Sequence, residues 1–260
     1  MELGLAGRRA VVTGGSKGIG LAVAHELALE GVDLSICARG MEELESAADA
    51  LRAHGHDVQA SVLDVTDHHG VDEYVGASAA SMGGIDILVN NAGAAHPGTF
   101  ETLSDEAWQA DIDVKLFSQI RCSRAALPHL RASRAPRIIN VNAIYARYPD
   151  PKFFATSVNR AACLNLSKAM AIEFGPEGIL VNSVNIGFVT TPQWENIRRQ
   201  RAPEATMQEF SEGLAVDEVP LGRFGKPEEV AGLIAFLASD RASYITGASI
   251  DVAGGMGKYV

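Results

Sequence analysis

Thr13-Gly14-Gly15-Ser16-Lys17-Gly18-Ile19-Gly20 joins a short apolar run, Ala10-Val11-Val12, to a segment of helical periodicity that begins near Gly18. A buried parallel strand that turns sharply into a helix leaves the first helical N–H groups without intrahelical partners, and those groups attract an anion. Gly14, Gly18 and Gly20 follow the spacing G-x-x-x-G-x-G. One glycine serves the tight turn, one lets backbone approach a pyrophosphate, and one packs helix on strand.

Working outward, the same alternation continues along the chain. Arg8–Thr13 reads as a first strand and Gly18–Glu30 as its helix, closed by Gly31. Strands follow at Leu34–Ala38, Val58–Leu63, Ile85–Val89, Arg137–Val141, Ile179–Val184 and Ser249–Val252, separated by helical patterns. Two of those helices are long. One opens at Ser104, a good N-cap, and runs to Arg131 with Trp108, Ile112, Leu116, Ile120 and Leu127 at helical spacing. The other spans about 154–174. This rhythm predicts an α/β fold, a single Rossmann-type doubly wound parallel sheet of about seven strands over residues 1–260, covered by helices on both faces. Residues 192–217 lack strand character and are expected to form a lid over the site.

Composition narrows the function. A formal charge of −10 argues against a nucleic-acid or anionic-membrane surface. Small molecules are the expected partners. Cys37, Cys122 and Cys163 lie in apolar segments without metal-ligand spacing and read as buried free thiols; no metal site is expected, and the adjacent pair His68-His69 has no third ligand nearby. The sequence offers neither a signal-peptide pattern nor a membrane span, so the expected location is cytoplasmic.

An acidic residue that grips an adenosine ribose belongs about 20 residues beyond the glycines. Ala38-Arg39 stands there instead. Arg39, with Lys17 from the glycine loop, suits a 2′-phosphate, which points to NADP(H) over NAD(H).

Thr13–Gly20, Asp64-Val65, Asn90-Asn91-Ala92-Gly93 and Pro220–Val230 together resemble the short-chain dehydrogenase/reductase family, across essentially the whole chain. The resemblance implies that Gly14, Ser16, Lys17, Gly18, Ile19 and Gly20 cradle the cofactor and that Asp64 and Val65 hold its adenine. It also implies that Asn91, Ala92 and Gly93 line the cofactor. Asn185–Pro192 matches the segment that holds the nicotinamide carboxamide, with Gly187, Val189 and Thr191 among its cofactor positions and Ile186 in place of the usual proline. The family's long helices imply a homodimer or homotetramer. Its catalytic lysine, tyrosine, serine and asparagine fall here on Arg160, Thr156, Ala143 and Lys115, so by this alignment all four positions are substituted.

Arg160 can keep contacts to the nicotinamide ribose and stabilise an oxyanion, but it cannot relay protons. The candidates to replace the tyrosine are Lys115, Tyr145 and Tyr148, beside Thr156, whose hydroxyl is too basic. Lys115 either faces the pocket, where the charge of Arg160 lowers its pKa, or bonds backbone carbonyls at a helix kink. Tyr145 and Tyr148 are proton donors or packing residues. His96 and Trp194 either face substrate or serve only their own loop and lid, and Asp150 fixes a turn. The expected activity is NADP(H)-dependent reduction of a carbonyl or an activated double bond of a small organic substrate, with a non-standard proton-transfer site. A non-redox lyase, isomerase or cyclase, and a catalytically inactive NADP(H)-binding partner protein, are the alternatives.

Overall fold

Ala10-Val11-Val12 is apolar at every position because the strand it forms is covered on both faces. The computed structural model describes residues 2–257 and Tyr259. Among these, the strands are β1 (Arg9–Thr13), β2 (Asp33–Ala38), β3 (Val58–Val62), β4 (Ile87–Asn90), β5 (Arg137–Ala143), β6 (Leu180–Ile186) and β7 (Ser249–Val252). They pair in parallel in the order β3-β2-β1-β4-β5-β6-β7. The expected seven-stranded Rossmann-type sheet is therefore present. The helices are α1 (Gly18–Leu29), α2 (Met41–Arg52), α3 (His68–Met82), α4 (Asp105–Ile112), α5 (Ser118–Arg131), α6 (Phe154–Phe174), α7 (Pro192–Arg201), α8 (Met207–Glu218) and α9 (Pro227–Ala238).

The period of two along each strand divides the core. Ala10, Val12, Ile87 and Val89 pack with α1, α2 and α9, whereas Val11, Leu88, Ile138 and Val181 pack with α3, α5 and α6. Each fully buried Leu or Ile contributes about 1.5–3 kcal/mol relative to exposure. Local signals set the helix ends: Gly31, at φ +82°, follows α1, and the side chains of Asp67 and Ser104 accept N–H groups of α3 and α4. Strand order reverses between β1 and β4, and a cleft opens beyond the carboxyl ends of those strands.

One expectation fails. The long helix from Ser104 is broken by a π-helical turn, Asp113–Phe117, and its most buried residues are Asp111, Lys115, Gln119, Cys122, Ala126 and Leu130. The stripe Trp108, Ile112, Leu116, Ile120 and Leu127 is only half-buried. Small and polar side chains lie inward because the polar ones satisfy each other there. Segment 192–217, expected to lack strand character, consists largely of α7 and α8, the latter opened by a Thr206–Glu209 capping box. No helix among the described residues is long and apolar enough to cross a membrane.

Candidate active site

The glycine loop is shaped by steric demands that only glycine meets. Gly14 and Gly18 take φ of +68° and +56°. A Cβ on Gly14 would come within 3.0 Å of Asn91 Nδ2, and one on Gly20 would lie 2.1 Å from the Gly14 carbonyl oxygen. Gly20 thus seats α1 against the turn and does not line the cleft, which corrects its reading as a cofactor contact. Asn91 ties the loop to β4: its Nδ2 donates to the carbonyls of Thr13 (2.9 Å) and Gly14 (3.1 Å), while the Thr13 hydroxyl accepts the N–H groups of Asn91 and Ala92. Lys17 precedes α1 without capping it, so no side chain competes for the first helical N–H groups.

The cleft that this loop borders holds about 670 Å³. Gly14, Ser16, Lys17, Gly18, Ile19, Arg39, Asp64, Val65, Asn91, Ala92, Gly93, Arg160, Gly187, Val189 and Thr191 all reach its wall. At one end, exposed Lys17 and Arg39 border it as cations. Burial alone would raise the Asp64 carboxyl, but the N–H and hydroxyl of Thr66 and the charge of Arg39 hold it below its usual range. A cradle that any Cβ would fill, an uncapped helix start and two cations at the far end fit an extended, multiply phosphorylated dinucleotide.

At the opposite end lies a buried polar cluster. Lys115, 1% exposed, forms an ion pair with fully buried Asp111 one helical turn earlier, and its Nζ donates to the Thr156 hydroxyl at 3.2 Å. Asp111 also accepts from Asn159 Nδ2 (2.7 Å), from the Thr156 hydroxyl (3.3 Å) and bonds His96 Nδ1 (2.8 Å). Arg160 donates to the Val141 carbonyl at 2.9 Å, and its Nε has no partner among the described residues. Burial, then the charge of Arg160, lowers Lys115 to about 8 against the pull of Asp111. Burial would raise Asp111, yet the bonds from His96, Lys115 and Asn159 bring it down to about 2. The two shifts say different things about one pair. Asp111 is well solvated by its donors, while Lys115 carries the cost of burial beside a second cation.

Lys115 therefore faces the cleft, and its ammonium contacts side chains, not the backbone carbonyls of a kink. Asp111 and Asn159 were not among the residues picked out from sequence. The signal for Asp111 was its spacing of four from Lys115 on one helix face. Tyr145 lines the cleft, stacked on Phe153 with centroids 5.5 Å apart, and burial with the carboxylates of Asp150 and Glu218 pushes its phenol up. Tyr148 does not line the cleft, because the chain after β5 turns through a 3-10 helix, Ile144–Ala146. Asp150 fixes its turn by accepting the Lys152 N–H at 2.8 Å. The free thiols are inert by burial, which pushes Cys37 to about 11 and Cys122 to about 12.

Segment 192–217 closes the same end. Trp194 packs edge-on against Phe188 (4.8 Å) and Phe224 (5.1 Å), and Gln193 Oε1 accepts the Ala95 N–H at 3.0 Å, tying α7 to the loop after β4. Ile144, Tyr145, Phe153, Phe188, Trp194 and Ile197 give this end an apolar, aromatic wall. Ile186 continues β6 in register with Ala143 and Val252, a pairing that its N–H position allows and a proline would restrict.

Comparison with known proteins agrees with this geometry. The family model described as enoyl-(acyl carrier protein) reductase matches residues 14–257. The chain is 34% identical to the 3-oxoacyl-acyl-carrier-protein reductase of Thermotoga maritima, covering 97% of this chain and 98% of that one. It is 44% identical, with a TM-score of 0.90, to the NADPH-bound short chain oxidoreductase of Pseudomonas aeruginosa described as containing an atypical catalytic center, covering 97% and 98% of the two chains. The L-sorbose reductase of Gluconobacter frateurii, solved with NADPH and L-sorbose, superposes with a TM-score of 0.97 at 35% identity over 100% of both chains.

Proposed function

The chain belongs to the short-chain dehydrogenase/reductase family, and on that premise we propose an NADP(H)-dependent oxidoreductase that reduces a carbonyl or activated double bond of a small organic substrate, with Lys115 as proton donor. The observation that carries the reading is the buried cluster of Lys115, Asp111, Thr156 and Arg160 at the wall of the cleft. NADPH, when bound, supplies hydride to the substrate.

In this reading Gly14, Ser16, Lys17, Gly18 and Ile19 hold the pyrophosphate, and Lys17 with Arg39 holds the 2′-phosphate. Asp64 and Val65 flank the adenine. Asn91, Ala92, Gly93 and Arg160 border the nicotinamide ribose, and Gly187, Val189 and Thr191 take the carboxamide. Lys115, lowered to about 8, is protonated at neutral pH yet close enough to it to release a proton to a developing oxyanion. Arg160 offers that oxygen a permanent charge. Thr156 and Asp111 orient the ammonium. The aromatic wall around Trp194 favours an apolar substrate and excludes water, with 192–217 as the lid. The half-buried apolar stripe from Ile112 to Leu127 supports self-association through the two long helices, as a homodimer or homotetramer.

The test is stopped-flow absorbance at the NADPH band with a panel of apolar ketones and enones. Lys115→Ala abolishes turnover while Tyr145→Phe retains it. Product formed without consumption of NADPH would refute the redox reading, and full turnover in Lys115→Ala would refute the assignment of the donor.

A further inference from the structure

A donor as little exposed as Lys115 has to recover its proton after each cycle, and His96 gives its cluster an edge that reaches solvent. Lys115 and Asp111 are buried, at 1% and 0% side-chain exposure, whereas the His96 side chain is 35% exposed and lines the cleft mouth. His96 Nδ1 and Lys115 Nζ both contact the same atom, Asp111 Oδ1. The other groups against Lys115 and Asp111 among the described residues are Thr156, Asn159, Arg160 and Cys163 on α6 and Ser118 on α5, all buried. Asn159 and Arg160 hold no exchangeable proton suited to this, burial raises the Cys163 thiol, and Thr156 is itself enclosed. Of the groups that contact Asp111, His96 alone pairs a titratable ring with an exposed edge.

We propose that His96 recharges Lys115 through Asp111. The inference rests on Lys115 being the donor. After Lys115 gives up a proton, its amine is neutral and Asp111 has lost its cationic partner, so the carboxylate becomes a better base. The Nδ1–H of His96 passes its proton to Asp111 Oδ1 as Nε2 takes one from a solvent water, which leaves as hydroxide, and Oδ1 passes that proton to the Lys115 amine. The net change is one proton moved from water to Nζ and one hydroxide released to solvent; exchange with water restores the starting tautomer of the ring. His96 is thus a positioning and relay residue, acting through Asp111.

The experiment separates the first turnover from those that follow. His96→Asn keeps an N–H donor where Nδ1 stands but carries no transferable proton. With enzyme and NADPH mixed against excess substrate, the expected trace has a first turnover at the wild-type rate, since Lys115 starts protonated. A steady state slowed at least about tenfold follows, and added imidazole restores it in His96→Ala. Equal slowing of both phases means that His96 only supports the loop and overturns the proposal, as does an unchanged steady state. If Lys115→Ala itself turns over normally, the donor assignment fails first and the relay falls with it; if Lys115→Ala is inactive and His96→Asn is normal, only the relay is wrong.

Discussion

Asp111→Asn is predicted to destabilise the protein more than Lys115→Met, although the two side chains form one ion pair. Lys115→Met removes a cation that already carries the cost of burial and the repulsion of Arg160, and leaves Asp111 bonded to His96 at 2.8 Å and Asn159 at 2.7 Å. Removing one partner of a buried pair costs about 3–5 kcal/mol when it leaves the other bare; because Asp111 keeps these donors and relief from Arg160 offsets part of the rest, the loss should stay below that of Asp111→Asn. Asp111→Asn instead strands Lys115 beside Arg160. Lys115 can escape by losing its proton, and from a value of about 8 that costs only about 1.4 kcal/mol at neutral pH, one unit's worth. Loss of the charge-assisted bonds from its donors adds about 1.5–3 kcal/mol. The sum, about 3–4 kcal/mol, corresponds to a fall in Tm of about 6–16 °C in a chain of this size. Calorimetry on the two variants and the double variant measures it, and the double variant should recover about 1.4 kcal/mol. The escape cost is the gap between the ambient pH and about 8, so that part of the deficit should vanish as pH rises from 7 to about 8; between about 8 and 10.5 both proteins gain stability together, because Lys115 binds its proton more weakly folded than unfolded. A Lys115→Met variant less stable than Asp111→Asn would refute the view that the carboxylate organises this cluster.

Further outcomes are expected. Reductive turnover should be level up to about pH 8 and decline above it, since the donor must be protonated, while the oxidative direction rises through the same range; a steady-state pH profile checks both. Arg39→Ala should weaken NADPH binding by about 10–100-fold and leave NADH little changed, measured by fluorescence titration, because a charge-assisted bond is worth about 1.5–3 kcal/mol. Gly20→Ala, whose Cβ would lie 2.1 Å from the Gly14 carbonyl oxygen, should cost about 1–3 kcal/mol and weaken both cofactors alike, read by melting and the same titration.

The sheet was legible because buried parallel strands leave continuous apolar runs such as Ala10-Val11-Val12, and because Gly14, Gly18 and Gly20 answer to local steric demands. Local rules have local signatures. Lys115, Thr156 and Arg160 could be found by their neighbours in the chain. For Asp111 the chain offers only its spacing from Lys115; its partners Asn159, Thr156 and His96 come from other elements, and only tertiary packing brings them together. The inward face of the helix after Ser104 was not legible for a related reason. Periodicity rewards large apolar residues, whereas this face buries a mutually satisfied Asp–Lys pair and small side chains. Tyr148 fell outside the cleft because its direction depends on the single 3-10 turn that precedes it.

The π-helical turn at Asp113–Phe117 has a consequence for how this site can be gained or lost in evolution. A π turn accommodates one residue more than an α turn. Deleting one residue there would let the helix run on as regular α-helix, the flanking turns keeping their faces while the side chains within the turn change place. A loss between Asp111 and Lys115 would leave them three residues apart, still on one face, but would move Lys115 off its place beside the Thr156 hydroxyl with no functional side chain altered. The proton-handling end of this enzyme is thus placed by the local winding of one helix as much as by residue identity, and a single-codon deletion could shift Lys115 while leaving the nucleotide cradle intact.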